Sequence, residues 1–337
     1  MNIHNQHILC VEFQRAVLDL PSIMLLKTFA ALLLPPIAFA VQVMEARDVA
    51  RTLWQKHDLF ETDVHAIIRC HALEEKPRYR LMYMPCRNRG EILRLMLEEA
   101  QCPYELEVVG FEPWREYVKA TTPHGKLPVL HDLTGKNLCE PLGQEGAITR
   151  HLAMQLGLAG RTAAEQAAVD SLYCFWFATL RNNGVSHDGE HYSVASLKEL
   201  RTKGGCEDAL AALRRPRYQD VFRQNDLSRA ERSLVALRYF EETLERAGTG
   251  FLVADAPTYA DLGLFYVLFE LAEEDNVPDF AHVFGFPRLG AFLEAMQQRA
   301  QIRDYLASPR RMPRYQRAAD GASLYTYLPG KLSPEVR

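Results

Sequence analysis

No Cys-x-x-Cys pair occurs among the seven cysteines, and their number is odd. That argues against a disulfide framework and a zinc site, and it points to a reducing compartment. The chain also lacks a basic excess: 39 Lys and Arg face 43 Asp and Glu, giving a net charge of -4 and a pI near 6.3. Nucleic acid is therefore not the expected main partner, because neutralising phosphates needs a basic surface. The local basic run Arg299, Arg303, Arg310, Arg311, Arg314 and Arg317 reads as a solvated helix face and tail. What is present is apolar bulk. At 337 residues and 48% hydrophobic, the chain is long enough for about two domains with their own cores.

Residues 1–76 differ from the rest of the chain, with weak periodicity and no clear pairing partner. Residues 23–43, IMLLKTFAALLLPPIAFAVQV, are apolar over a length that could cross a bilayer, but they carry Lys27 and the break Pro35-Pro36. Read from Met24, the segment has the form of a secretory signal: Lys27 in a short basic start, an apolar run, then Ala38-Phe39-Ala40 as a cleavage site. Met24 is internal, so 24–43 stands either as a signal or anchor, or as a packed helix or dispensable leader. Residues 46–76 carry no chemical motif.

The stretch 79–94, YRLMYMPCRNRGEILR, reads as a strand, a Pro-containing bend and the first turns of a helix. Tyr83 closes the strand with its hydroxyl aimed at the helix start, an arrangement able to hold a thiolate. Arg87 and Arg89 make the region electropositive. The plain alternative is a core tyrosine in an ordinary strand-loop-helix unit. Residues 91–100 have one apolar helical face and 104–109 alternate as a second strand. In GKLPVLHD, 125–132, Pro128 heads a strand and leaves Leu127's backbone groups to pair with an extended peptide ligand. Residues 133–138 read as a turn and fourth strand, and 144–156 as a helix. The order is β-α-β, then β-β-α.

From Thr162 the pattern is helical. Residues 163–180 are expected to form a central helix, rich in Leu172, Tyr173, Phe175, Trp176 and Phe177. Residues 182–227 are polar and Gly-broken, an insertion with one short helix around 194–201 that either covers a pocket or stays a solvated loop. Ser228-Arg229-Ala230-Glu231 and Thr258-Tyr259-Ala260-Asp261 are capping boxes opening two further helices.

These motifs resemble the cytosolic glutathione S-transferases, in the tyrosine-type branch that includes the pi and sigma classes. Tyr83-Met84-Pro85-Cys86-Arg87-Asn88-Arg89 is similar to the pi-class Tyr-Phe-Pro-Val-Arg-Gly-Arg. HGKLPVL resembles the family's Gly-Gln-Leu-Pro strand entry, and QEGAITRHLAMQLGLAG, 144–160, its Gln-Ser-x-x-Ile-x-Arg-Leu helix. Thr258-x-x-Asp261 resembles the mark of its helical domain. The likeness covers roughly 78–315.

The resemblance implies an α/β thioredoxin-like N-terminal domain at 77–157 and an all-α helical C-terminal domain at 162–318, interrupted by the insertion at 182–227, with a tail at 319–337. It implies a glutathione S-transferase that activates the glutathione thiol as thiolate for attack on apolar electrophiles, with glutathione as co-substrate, no cofactor and no metal. Tyr83 would be catalytic. Leu127, beside a cis Pro128, would pair with the cysteinyl unit; Gln144 and Arg89 would hold the γ-glutamyl carboxylate and Glu145 the α-amino group. Trp114 and Lys119, spaced one residue wider than in the family, would grip the glycyl carboxylate, with Lys126 beside them. Met84, Arg87 and Phe177 would line the second-substrate pocket. A homodimer is implied, and a cytoplasmic location unless 24–43 acts as signal or anchor.

Glu145 departs from the family's Ser, replacing a donor by an acceptor-only carboxylate. The partner-reaching Asp of the pi class falls opposite about Ala178. Two alternatives stay open: a sigma-type glutathione-dependent isomerase or peroxidase, and a non-catalytic relative retained for binding or assembly. Cys86 is a rival nucleophile, as in the omega class, against a packed free thiol.

Overall fold

The computed structural model describes residues 42–45, 63–70, 75–181, 191–213, 227–308, 310–312, 315–316 and 326–327, all within one compact unit that begins at Val41. Most of 24–43, and the tail 319–337 apart from 326–327, lie outside the described residues.

Six strands build one mixed sheet: β1 (Gln42–Glu45), β2 (His65–Arg69), β3 (Tyr79–Tyr83), β4 (Tyr104–Val109), β5 (Val129–Asp132) and β6 (Leu142–Gly143), in the order β1-β2-β4-β3-β5-β6. Strands β3 and β4 are parallel and are joined by helix α1 (Asn88–Glu99), while β5 and β6 return antiparallel. Alternation sets the two faces. Tyr79 and Leu81 of β3 and Tyr104, Leu106 and Val108 of β4 enter the main core under α1 and α2 (Glu145–Leu156). Met82, Val109 and Val129 face the other way, against a helical segment at 111–121.

The sheet corrects the expectation that nothing before residue 77 finds a pairing partner. Strand β2 pairs antiparallel with β4, His65 opposite Val109 and Arg69 opposite Glu105, and β1 pairs parallel with β2. The fourth strand is also displaced. Residues 133–138 form a turn in which the Asp132 carboxylate accepts the backbone N–H groups of Thr134, Asn137 and Leu138. The Thr134 hydroxyl, which also donates to this carboxylate, and these backbone bonds hold its pKa well below the usual carboxylate range, and pairing resumes only at β6.

Helix α3 (Ala163–Trp176) opens on a Thr162–Glu165 capping box and continues as a π turn, Phe177–Arg181. Among its described residues the insertion shows two helices where one is expected, α4 (Tyr192–Thr202) and α5 (Cys206–Leu213); residues 182–190 and 214–226 lie outside the described residues. Helix α4 is packed, not a loop: Val194 and Leu197 are buried, and Ser193 donates to the Leu180 carbonyl at 2.7 Å. Helix α6 (Arg229–Ala247) carries the Ser228–Glu231 box and ends on Gly248 in the left-handed region. In α7 (Tyr259–Leu271), Asp261 accepts from Thr258 N at 2.8 Å, Thr258 Oγ1 at 2.6 Å and Leu252 N at 2.8 Å. Gly263 lets α7 meet α3 closely, since a Cβ there would lie 3.1 Å from the Trp176 ring. Helices α8 (Pro287–Gln297) and α9 (Ala300–Leu306) complete the bundle.

Three arginines of the basic run, Arg299, Arg310 and Arg311, do not form a solvated face. Arg299 pairs with Glu99, Arg310 donates to both oxygens of Glu98 at 2.7 and 2.8 Å, and Arg311 is buried 3.7 Å from Glu91. These carboxylates all lie on α1, so the run straps the helical region to it. Arg303 is exposed as expected; Arg314 and Arg317 lie outside the described residues.

Candidate active site

Tyr83 ends β3 beneath the first turn of α1. That turn carries backbone N–H groups with no intrahelical acceptor. One of them, on Arg89, donates to the Tyr83 hydroxyl oxygen at 3.2 Å. The phenol's own O–H is left to donate outward. Burial pushes the Tyr83 pKa well up, so the phenol keeps its proton across the neutral range. Gly90 makes the approach feasible: a Cβ there would sit 2.7 Å from Tyr83 Cδ1. The sequence alone suggests no role for this glycine.

Around Tyr83 the surface is apolar. Cys86 is buried with it, and Met84 and Leu127 pack against the pair. Leu127 also packs against the neighbouring cluster of Met82, Val109, Val118 and Val129, against which Trp114 packs as well. The Leu127–Pro128 bond is cis, as the resemblance implies, and the β3–β5 ladder begins only at Val129, leaving Leu127 outside it. Trp114 opens a π turn, Trp114–Val118, closed by the Lys119 N–H on the Trp114 carbonyl. This wider turn brings positions five apart toward one side. Lys119 and Lys126 are exposed near the turn at 123–125, where a Cβ on Gly125 would lie 3.5 Å from Lys119 Cε. Arg89 is half-buried, and among the described residues no carboxylate pairs with it.

Gln144 is exposed at the mouth of α2 with φ +74, a region non-glycine residues seldom occupy, and strain of this kind gathers at ligand sites. No side-chain bond caps α2, so its first N–H groups and dipole face the same opening.

Two expected residues are placed elsewhere. Glu145 is 4% exposed, and its carboxylate is taken by Arg181, whose Nη2 lies 2.8 Å from Oε2 and whose Nε donates to Oε1 at 3.3 Å. The expected pairing with a substrate amino group is thus replaced by a buried ion pair. Arg181 also lies over the Phe177 ring, 5.6 Å from its centroid. Phe177 is half-buried among Tyr173, Trp176 and this guanidinium. Arg87 does not line a pocket. It is buried, pairs with Glu273 at 2.5 Å, and donates Nε to the Met312 carbonyl at 2.9 Å. The sequence motifs do not reveal Arg181, Glu273 or Gly90; only the Glu145 departure hints that a compensating cation is needed.

Cys86 is 1% exposed, and burial pushes its thiol up to about 12. It is therefore a protonated, packed thiol rather than a nucleophile. Iodoacetamide on the native chain at pH 7.5 is expected to label the exposed Cys139 and Cys174 and leave Cys86 intact by peptide mass mapping, a pH chosen about one unit below a free thiol's pKa. Labelling of Cys86 at the rate of Cys139 would reverse that assignment. Among the described residues, no group of three His, Cys, Asp or Glu side chains is placed to hold a metal ion.

Comparison with known proteins matches residues 217–309 to the family described as glutathione S-transferase, C-terminal domain. Glutathione S-transferase P of Bos taurus is 30% identical over 243 residues, covering 71% of this chain and 96% of its own. Glutathione S-transferase 1 of Ascaris suum is 29% identical over 237 residues, 70% of this chain and 99% of its own. The probable glutathione S-transferase 7 of Caenorhabditis elegans is 30% identical over 233 residues, 68% and 95% respectively.

Proposed function

Because this chain belongs to the glutathione S-transferase family, we propose that Tyr83 activates bound glutathione as a thiolate, which the enzyme transfers to apolar electrophiles. The observation that carries this reading is the Arg89 N–H bond to the Tyr83 oxygen, which leaves the phenolic proton to donate. A free thiol with a pKa near 8.5 is only a few per cent ionised at neutral pH, and a donor aimed at sulfur stabilises the charged form. The thiolate then forms a sulfur–carbon bond with the electrophile as a leaving group departs or a double bond takes up the electrons.

The remaining groups supply orientation. Leu127's backbone, outside the ladder, pairs with the cysteinyl unit; the α2 start with Gln144 and Arg89 takes the γ-glutamyl carboxylate; Trp114, Lys119 and Lys126 take the glycyl carboxylate. Met84 and Phe177 contribute apolar surface for the electrophile. Glu145, the departure that favours a non-catalytic relative, is neutralised by Arg181 and brings no free negative charge to the carboxylate subsite. A cytoplasmic homodimer belongs to the same reading. Among the described residues, no helix is long and apolar enough to cross a membrane.

The test is glutathione-affinity retention of the full chain, combined with the ultraviolet absorbance of bound thiolate against pH. Retention with a thiolate pKa well below that of free glutathione is expected. No retention, or retention with an unshifted pKa, would move the assignment to a binding or scaffold protein.

A further inference from the structure

Strand β2, added to the sheet beside β4, does more than lengthen it. At its first position His65 is buried at 8% exposure and bridges two elements. Its Nε2 lies 2.7 Å from Glu107 Oε1 on β4, and its Nδ1 lies 2.7 Å from the Tyr117 hydroxyl on the 111–121 segment. With Glu107 ionised, Nε2–H donates to the carboxylate and Nδ1 accepts the Tyr117 O–H, so the carboxylate fixes the tautomer that receives the tyrosine. Burial together with Glu107 and Glu116 raises the Tyr117 pKa, which keeps that proton in place. The residue before His65 adds a second tie: the Val64 carbonyl accepts the Gly110 N–H at 2.7 Å, where the 111–121 segment starts.

The segment needs such ties. It consists of three-residue α pieces on either side of the π turn, without a side-chain N-cap, and buries only Pro113 and Val118. Short helical pieces of this kind have little stability of their own. Tyr117 lies inside the π turn whose closing bond runs from Lys119 N–H to the Trp114 carbonyl. Any shift of Tyr117 therefore moves both Trp114 and Lys119.

We propose that His65 is a positioning residue for glutathione: through Tyr117, and oriented by Glu107, it fixes the π turn that presents Trp114 and Lys119 to the glycyl carboxylate. The inference rests on Trp114 and Lys119 holding that carboxylate, as in the proposed function. It makes β2 a support of the glycyl-carboxylate subsite, separate from Tyr83.

Three variants of the full chain test it: His65→Ala, His65→Gln, whose amide offers both a donor and an acceptor, and Tyr117→Phe, which keeps the ring packed and removes only the hydroxyl. Steady-state conjugation with varied glutathione is the readout. For His65→Ala and Tyr117→Phe, KM for glutathione is expected to rise roughly fivefold with kcat and the thiolate pKa unchanged, the pattern of a lost uniform binding interaction. His65→Gln is expected to recover most of the affinity. Wild-type KM in Tyr117→Phe overturns the inference, even if His65→Ala fails to fold. A fall in kcat at constant KM overturns it too, because the effect then lies at the thiolate. If the unaltered chain does not bind glutathione, the underlying assignment fails and this inference with it.

Discussion

Replacing Tyr83 by Phe is expected to lower conjugation about 30-fold at pH 7, the ratio between a fully ionised thiol and one with a pKa near 8.5. The ring stays, packed under Gly90 and beside Cys86, so the fold should hold. Only the O–H is removed, with the acceptor it offered to Arg89 N–H. The pH profile separates this cause from others. Without the donor, the bound thiol's pKa returns toward its free value. The deficit is therefore full at pH values below the wild-type thiolate pKa and closes as pH rises through about 8.5, where both enzymes hold thiolate. Stopped-flow rates with a chromogenic aryl halide across that range give the comparison, and ultraviolet absorbance gives the thiolate pKa directly. A deficit of equal size at both ends of the range would mean that Tyr83 acts on something other than thiol ionisation. No deficit would remove it from catalysis and reopen the site, although the burial of Cys86 argues against that thiol as the replacement.

The parts of this fold that are legible in the sequence are those written locally. The strand-bend-helix around Tyr83, the Pro128 strand entry and the two capping boxes each declare themselves within a few residues, because turn chemistry and caps are satisfied by near neighbours. Strand β2 escapes for a local reason as well. Val64, Ala66, Ile68 and Cys70 do alternate inward, but Ile67 on the opposite face and the shortness of the run blur the period. Residues 133–138 read as a turn followed by a strand, and the strand part fails because nothing in their composition shows that Asp132 will gather three backbone N–H groups. The buried polar pairs are illegible on other grounds. Glu145 and Arg181 are 36 residues apart in sequence, Arg87 and Glu273 are 186 apart, and His65 and Glu107 are 42 apart. A lone Arg in a sequence carries no mark of its partner. Charged residues are mostly exposed, so Arg87 reads as a pocket residue and the C-terminal arginines as solvent-facing. Arg87, Arg299, Arg310 and Arg311 instead each meet a carboxylate from a distant part of the chain.

Arg181→Ala is expected to destabilise the protein by about 3–5 kcal/mol, as for removal of one partner from a buried pair. Both side chains of this pair are almost wholly enclosed, at 1% and 2% exposure, so water cannot take over the lost partner's place. The charge left behind is Glu145, the first residue of α2, next to Gln144 with its strained backbone. The damage should therefore spread to the γ-glutamyl subsite, and retention on glutathione should weaken along with stability. Urea unfolding gives the first quantity and affinity retention the second. The pairing itself is tested by a double-mutant cycle. Glu145→Ser restores the family's residue but takes this carboxylate from Arg181, and should be destabilising alone for the same reason. Glu145→Ser combined with Arg181→Met removes both charges and should recover most of the loss, since a buried pair replaced by neutral, packed groups is often neutral or better. If Arg181→Ala stays within about 0.5 kcal/mol of the parent, the range of ordinary surface substitutions, the pair is not enclosed in solution. Glu145 would then be available to glutathione's amino group after all. If instead the two single losses simply add in the double variant, each side chain matters for its packing and not for the other's charge. Recovery in the double variant would establish that Glu145 and the Arg181 that closes the π turn after α3 are coupled through their charges.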